Sequence, residues 1–430
     1  MSKTTIMSAL CAAACFAAAA SEMPDITAVS MSQADSREVT ISYTLANAPA
    51  VVTVDIQTNV SGDAWASIGG ENIQGLSGDV NRRIATSGEH QIRWRADLSW
   101  PDHKVTGDNA RAVVTAWPMD NPPDYMVVDI SSAAGVGDVE WYPDAGSVPG
   151  GVTNNVRYRQ TTILMRKVMA KGVTYTAGSV GETASSVNQA REQTHHVDLV
   201  SNFYIGVFEV TQAQWALIFA RRPWPSYFSA IGDRAMRPVE RVSYNEIRCS
   251  YTNVQSLVEA GYDWPNPPHG QSYLGLLRAK TGIAFDLPSE AQWEYACRAG
   301  NGAGRWGNGE PIGDNVPGRY NGNGGSVSDA SVTAEHGTAA AGSYPPNDWG
   351  LYDMHGNIQE WCLDHWIVDN TGLRGAVNTI PNATYEHAYR GGTFAGGYTN
   401  ARSAYRSYDA AATASKNHIG FRLVCPAEFE

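Results

Sequence analysis

The chain has 430 residues and a net charge of −12, with only 17% charged residues but 42 glycines, 20 tyrosines and 13 tryptophans. That length suits two domains, and that composition describes a loop-rich globular protein rather than a disordered one. The acidic balance, with no basic cluster, argues against nucleic-acid binding.

In chain order, Lys3 precedes an apolar, alanine-rich run from Ile6 to Ala20 that ends in small residues before Ser21 and Glu22. This is the pattern of a cleaved export signal, and it predicts a secreted or periplasmic protein. The run is too short for a membrane span, and no later stretch reaches that length, so no transmembrane segment is expected. A lipid anchor on Cys15 is the lesser reading, because no leucine stands three residues before it.

Residues 22–130 alternate with period two. Strands are predicted at Val39–Tyr43, Val51–Ile56, His90–Arg95 and Arg111–Trp117, separated by loops such as Ser61-Gly-Asp63 and Ser77-Gly-Asp79. Short strands at this spacing predict an all-β immunoglobulin- or fibronectin-like sandwich, a spacer or docking unit with nothing catalytic in it. Asn121-Pro-Pro123 and a Ser/Gly/Pro-rich run predict a linker over 131–158, and the second domain then covers 159–430. It opens on a strand at Thr161–Met165. Phe203–Val210 reads as a strand feeding a helix capped by Thr211. Ser289 and Gln292 form a capping box, so a helix should start near Glu290 and stop at Gly300, with Trp293 and Ala296 facing inward.

Three stretches then combine: Leu287 to Gly300 (LPSEAQWEYACRAG), Gly350 to Trp361 (GLYDMHGNIQEW), and Arg390-Gly-Gly-Thr-Phe394 running on to Ile419-Gly-Phe-Arg422. In this order they resemble the formylglycine-generating enzyme family, also called the sulfatase-modifying factor family, over roughly residues 160–425. The resemblance implies an α+β domain of C-type-lectin-like architecture. In that family two cysteines between the Arg-Gly-Gly and Gly-Phe-Arg motifs hold copper. Here those positions fall on Gly396 and Ala401, so the thiolates that soft copper selects are missing. Related iron enzymes draw their histidines largely from an added helical domain, which this sequence does not carry. His355, His365, His418 and the His195-His196 pair are the residues an iron site would have to use. Neither copper nor iron is therefore expected.

The resemblance also implies a structural calcium in the turn before Trp361, with carboxylates from Asp353 and Glu360 and backbone carbonyls from Gly356 and Ile358. Several oxygens within one loop suit that ion. Once the signal is removed, Cys249, Cys297, Cys362 and Cys425 remain. An even count in an oxidising compartment suggests disulfides, with three pairings possible. The resemblance favours Cys249–Cys425, leaving Cys297–Cys362.

From Phe394 to His418 the chain is rich in tyrosine, serine, glycine, asparagine and arginine, the palette of adaptable binding surfaces. The resemblance implies a substrate face here, which some relatives use as a diversified binding face. Phe394, Tyr398, Asn400, Arg402 and Tyr405 are the expected ligand residues. The competing reading makes the tyrosines half-buried strand residues, and Arg402 and Arg406 structural. Gly420 and Arg422 read as structural. The expectation is a non-catalytic, calcium-stabilised protein that binds a ligand, peptide, glycan or surface protein. The alternative is a metal-dependent oxidoreductase, forming formylglycine or carrying out non-haem iron oxidation.

Overall fold

The computed structural model of the chain describes residues 22–33, 36–59, 64–132, 138–180, 190–229, 232–249, 265–302, 304, 306, 317–324, 336–379, 386–409 and 415–429. The expected export signal, with Cys11 and Cys15, and the loop at residues 61–63 lie outside the described residues.

The N-terminal part is built from β1 (Asp25–Gln33), β2 (Glu38–Ala46), β3 (Ala50–Thr58), β4 (Ala66–Ser67), β5 (Leu76–Gly78), β6 (Arg82–Ile84), β7 (Gly88–Arg95) and β8 (Ala110–Pro118), with a short helix α1 (Ala96–Ser99). One sheet runs β1-β2-β7-β5. In the other, β3 is flanked by β4, β6 and β8. The alternation in β2 is exact in burial: Val39, Ile41, Tyr43 and Leu45 point inward and their neighbours do not. They meet Ala50, Val52, Ile56 and Val114 of the second sheet, with Ile92 and Trp94 filling the gap, so the two sheets share one core. All four strands expected from periodicity lie within β2, β3, β7 and β8.

The domain boundary falls earlier than the Pro- and Gly-rich segments suggested. β9 (Tyr125–Asp129) and β10 (Val139–Tyr142) do not end a sandwich and enter a linker. With β11 (Thr162–Val168), β14 (Phe203–Gly206) and β19 (Val424–Pro426) they form the main sheet of the second domain, in the order β10-β9-β11-β14-β19. The reason is legible in burial. Tyr125, Met126, Val127 and Val128 are all covered, so β9 is an inner strand with apolar residues on both faces. The supposed linker also holds two 3-10 turns, Ala145–Ser147 and Val156–Arg159. The domains touch directly: Trp141 N donates to Asn81 O (2.8 Å) and Phe429 N to Met119 O (2.9 Å).

Around the main sheet lie the ribbon β12 (Val173–Ala177) with β13 (His195–Leu199), and a smaller sheet of β15 (Gln359–His365), β16 (His387–Arg390), β17 (Ser407–Asp409) and β18 (Ile419–Gly420). Helices are short: α2 (Gln212–Ile218), α3 (Tyr244–Arg248), α4 (Tyr273–Thr281) and α5 (Glu290–Arg298). Thr211 with Gln214, and Ser289 with Gln292, close reciprocal capping boxes as their sequences predict. α5 ends at Arg298, two residues before Gly300, because Ala299 already takes the left-handed conformation.

α5 turns its charged residues inward onto a buried lattice. Arg390 donates to Glu290 (2.9 Å) and Glu294 (3.0 Å), Arg406 donates to both oxygens of Glu290 (2.6 and 2.7 Å), and Arg298 donates to Glu294 (2.9 Å). Burial alone would push the Glu290 and Glu294 carboxyls up. The guanidinium groups of Arg406, Arg390 and Arg298 more than offset this and hold both below the usual range.

The expected disulfides are not formed: Cys249, Cys297, Cys362 and Cys425 are all buried thiols. Cys297 and Cys362 lie in one hydrophobic cluster, and Cys249 and Cys425 in another. The side chains nevertheless aim elsewhere. Cys297 Sγ faces Ser403 Oγ (3.5 Å), and Cys362 Sγ lies against Glu360 O (3.8 Å). Burial pushes the Cys362 and Cys425 thiols well up.

Replacing Arg390 by Met strips one cation from two buried carboxylates and should cost about 3–5 kcal/mol. Urea unfolding followed by tryptophan fluorescence measures it. Arg374→Ala, which removes only the exposed pair with Asp198, should leave the midpoint unmoved.

Candidate functional site

The turn from Asp353 to Glu360 is held by glycine geometry. Asp353, Gly356 and Asn357 all have positive φ (55°, 95° and 60°), and a Cβ on Gly356 would stand 2.1 Å from Arg319 O. Gly356 N donates to Gly391 O (2.7 Å), Asn357 N to Arg319 O (2.8 Å) and Phe394 N to Asn357 O (2.7 Å). The three segments that carry the expected site are thus stitched together by backbone.

The carboxylates below this turn outnumber the cations facing them. Glu360 accepts from Arg422 through both oxygens (2.8–3.2 Å) and from Trp293 Nε1 (2.7 Å). Glu209, which the sequence reading did not single out, accepts from Asn357 Nδ2 (2.7 Å) and Ile358 N (3.2 Å). Its only sequence signal is an acid inside the apolar run Val207-Phe-Glu-Val210. Asp353 Oδ2 accepts from Gly342 N (2.6 Å), while Oδ1 is buried with no hydrogen-bond partner among the described residues. Burial pushes Glu209 far up, with the Asp353 and Glu360 charges adding to it, and burial raises Asp353 to about 6. An unmet carboxylate oxygen amid surplus negative charge is chemistry that fits a calcium ion. Glu360, already engaged by Arg422, would contribute mainly charge.

The expected ligand residues separate into two groups. Phe394 is fully buried and packs edge-on against Phe228 (5.1 Å). Arg402 is buried too, forked onto both oxygens of Glu192 (2.8 and 3.0 Å) and onto Thr399 O (2.7 Å). These two are scaffold, and Arg406 joins them through Glu290, so for the arginines the structural reading holds. Composition does not reveal which arginines meet buried acids. Tyr398, Asn400 and Tyr405 remain half-buried and reachable. Tyr398 opens a 3-10 turn, Tyr398–Ala401, and packs with Trp306, Tyr320 and Ala401. Asn321 N donates to Gly396 O (3.0 Å), which brings the Tyr320 loop beside this turn. Trp306 is 2% exposed, and its Nε1 has no partner among the described residues. Trp306 and Tyr320 lie in the glycine- and asparagine-rich stretch, where periodicity offers no signal.

Behind Ala401 sits a buried thiol–imidazole pair. His355 Nδ1 is 2.8 Å from Ala401 O and must donate to it, which leaves Nε2 as an acceptor facing Cys297 Sγ at 3.6 Å. Burial pushes Cys297 up to about 12 and His355 down to about 4, so both are neutral near pH 7. The histidines expected to matter for iron do not converge. His355 lies here, His365 stacks on His387 (4.2 Å), and His418 sits beside Asn417. His195 and His196 lie in the outer ribbon. Among the described residues no three His, Cys, Asp or Glu side chains come together to hold a metal ion. That leaves open a site drawing on backbone carbonyls.

Residues 160–427 match the family model of the sulfatase-modifying factor enzyme 1-like domain. Among curated relatives, the serine/threonine-protein kinase pkn1 of Chlamydia pneumoniae is 29% identical over 229 residues, 53% of this chain and 32% of that one. The formylglycine-generating enzyme of Mus musculus is 34% identical over 111 residues, 25% of this chain and 30% of that one. The chain therefore spans about a third of the length of these relatives. Among solved structures, variable protein 1 of Treponema denticola aligns over 62% of this chain and 96% of its own, at 21% identity and a TM-score of 0.45.

Glu240 supports this region from below, accepting from Phe228 N (3.1 Å), while its Oε2 is buried without a partner among the described residues. Burial raises its carboxyl to about 8, against the opposing pull of the Phe228 and Tyr227 N–H groups. A folded pKa above the unfolded value stabilises fully below about 4.5, and that contribution is lost as pH rises through about 8. Glu240→Gln should therefore gain on the parent as pH goes from 5 to 8. Urea midpoints at those two pH values check it.

Proposed function

Since the chain belongs to the sulfatase-modifying factor family, we propose that it is a secreted, non-catalytic member of that family that binds a peptide or glycan. The binding face comprises Tyr320, Tyr398, Asn400 and Tyr405 over Trp306. The observation that carries this reading is the Trp306 Nε1 donor, without a partner among the described residues, beneath half-buried tyrosines and beside Gly396 and Ala401, which carry no thiol. Tyrosines give contact area at small entropic cost, and a buried donor without a partner gains a full hydrogen bond when a ligand supplies the acceptor. In this reading the N-terminal sandwich, of immunoglobulin-like type, is a spacer, and residues 1–21 direct export.

Calcium belongs to the same proposal. Asp353 Oδ1 and the carbonyls of Gly356 and Ile358, with the charge of Glu360, would hold it. Bound there, it supplies the positive charge that Glu209 and Asp353 otherwise lack. Its effect would be to stiffen the turn on which Phe394 and the binding segment are hung.

One observation favours a second reading, an oxidoreductase: Cys297 and His355 stand directly behind Ala401. Copper does not fit there, because the site has a single thiol, wholly buried and pushed up to about 12.

On immobilised peptide and glycan libraries, Tyr398→Ala should bind at least tenfold more weakly than the parent, about 1.4 kcal/mol. Libraries that stay blank, or a variant that binds like the parent, would count against the face. For calcium, elemental analysis of protein purified without chelator should find about one ion per chain. A chelator should lower the melting temperature of the parent but not of Asp353→Asn, by mass action on the folded state. Stoichiometric iron or copper instead would favour the oxidoreductase.

A further inference from the structure

A cleft of about 440 Å³ opens between the two domains, far from the tyrosine face in the chain and made of other residues. Its size is that of small-molecule sites, and domain boundaries are where such sites preferentially occur. The sandwich contributes Glu71, Arg82 and the strand β5, and the second domain contributes Glu140, Tyr142 and Arg157.

The charges of this lining are balanced and mixed. Each domain supplies one carboxylate and one guanidinium, Glu71 with Arg82 on one wall and Glu140 with Arg157 on the other. The Arg157 head group is underused. It reaches Glu140 only at 3.6 Å, and its Nε is buried without a hydrogen-bond partner among the described residues. Glu140 is steadied instead by the Tyr142 hydroxyl, which donates to its Oε2 (3.0 Å). The loosely held Nη2 on this partly exposed side chain presents a charged donor that a carboxylate accepts from. The exposed Glu71 carboxylate offers a partner for an ammonium group.

The floor adds a backbone template. β5 is the edge of its sheet, paired with β7 alone, and Leu76, Ser77 and Gly78 all line the cleft. Such an edge accepts an added extended segment through main-chain hydrogen bonds.

We propose that this cleft binds a short zwitterionic peptide. Its terminal carboxylate meets Arg157, its ammonium meets the carboxylate of Glu71 on the other wall, and its backbone lies along β5. A single amino acid has the charges but not the backbone, and an acidic sugar has the carboxylate but not the ammonium. The complementary charge of both walls therefore selects the peptide.

Isothermal titration of the full chain with triglycine tests this. Saturable binding is expected, with N-acetyl-triglycine amide at least tenfold weaker. Arg157→Gln and Glu71→Gln should each lose at least fivefold while melting like the parent. Because the two substitutions sit in different domains, a folding defect in one leaves the other to report. Tyr398→Ala should bind triglycine like the parent, which separates this cleft from the proposed tyrosine face. No heat up to about 10 mM, at the weak end of measurable affinity, would overturn the proposal. So would equal binding of the blocked peptide, acetate competing as well as triglycine, or no loss in either variant.

Discussion

Arg422 has no exposed surface, and its five N–H groups need acceptors inside a medium that punishes any left unmet. It finds them in the carbonyls of Gly206, Val207 and Tyr352 and in both oxygens of Glu360. One side chain near the end of the chain thus ties the end of β14, the turn containing Asp353 and the start of β15. Arg390, Arg402 and Arg406 repeat the arrangement around α5 and the tyrosine segment. In a domain with short helices and long connections, these buried guanidinium groups do what regular secondary structure does elsewhere. They fix loops by converging hydrogen bonds.

The same device shapes the proposed binding face. Because Arg402 is forked onto Glu192 and Phe394 is packed on Phe228, the segment between them has fixed ends, and Tyr398 and Asn400 are displayed from it, with Tyr405 three residues beyond Arg402. The cost is concentrated under the Asp353 turn, where three carboxylates depend chiefly on one arginine. A scaffold that relies on buried ion pairs is poorly tolerant of a missing cation.

What could be read in advance follows from how local each signal is. Thr211 with Gln214 and Ser289 with Gln292 lie three residues apart, so the helix starts were legible, as were the alternating strands of the sandwich. The resemblance carried the Asp353 turn. β9 was misread because a strand covered on both faces does not alternate, and its neighbouring prolines looked like a linker. Phe394 and Arg402 were misassigned because their partners, Phe228 and Glu192, lie more than 150 residues away in the chain. Glu209 gave only the faint signal of an acid inside an apolar run, and Trp306 gave none. The cysteine pairing failed for a geometric reason: counting thiols says nothing about which way Cys297 points along α5.

The four buried thiols set a race. A thiol reacts as its thiolate, and burial keeps Cys297, Cys362 and Cys425 protonated, so in the folded chain these three react slowly with oxidants. An unfolded chain exposes the same sulfurs at their ordinary acidity, and in an oxidising compartment they cross-link by exchange. Each excursion from the native state is then an opportunity for permanent loss. Under the proposed export, the working lifetime of the protein would depend on how seldom it opens, rather than on the depth of its equilibrium well.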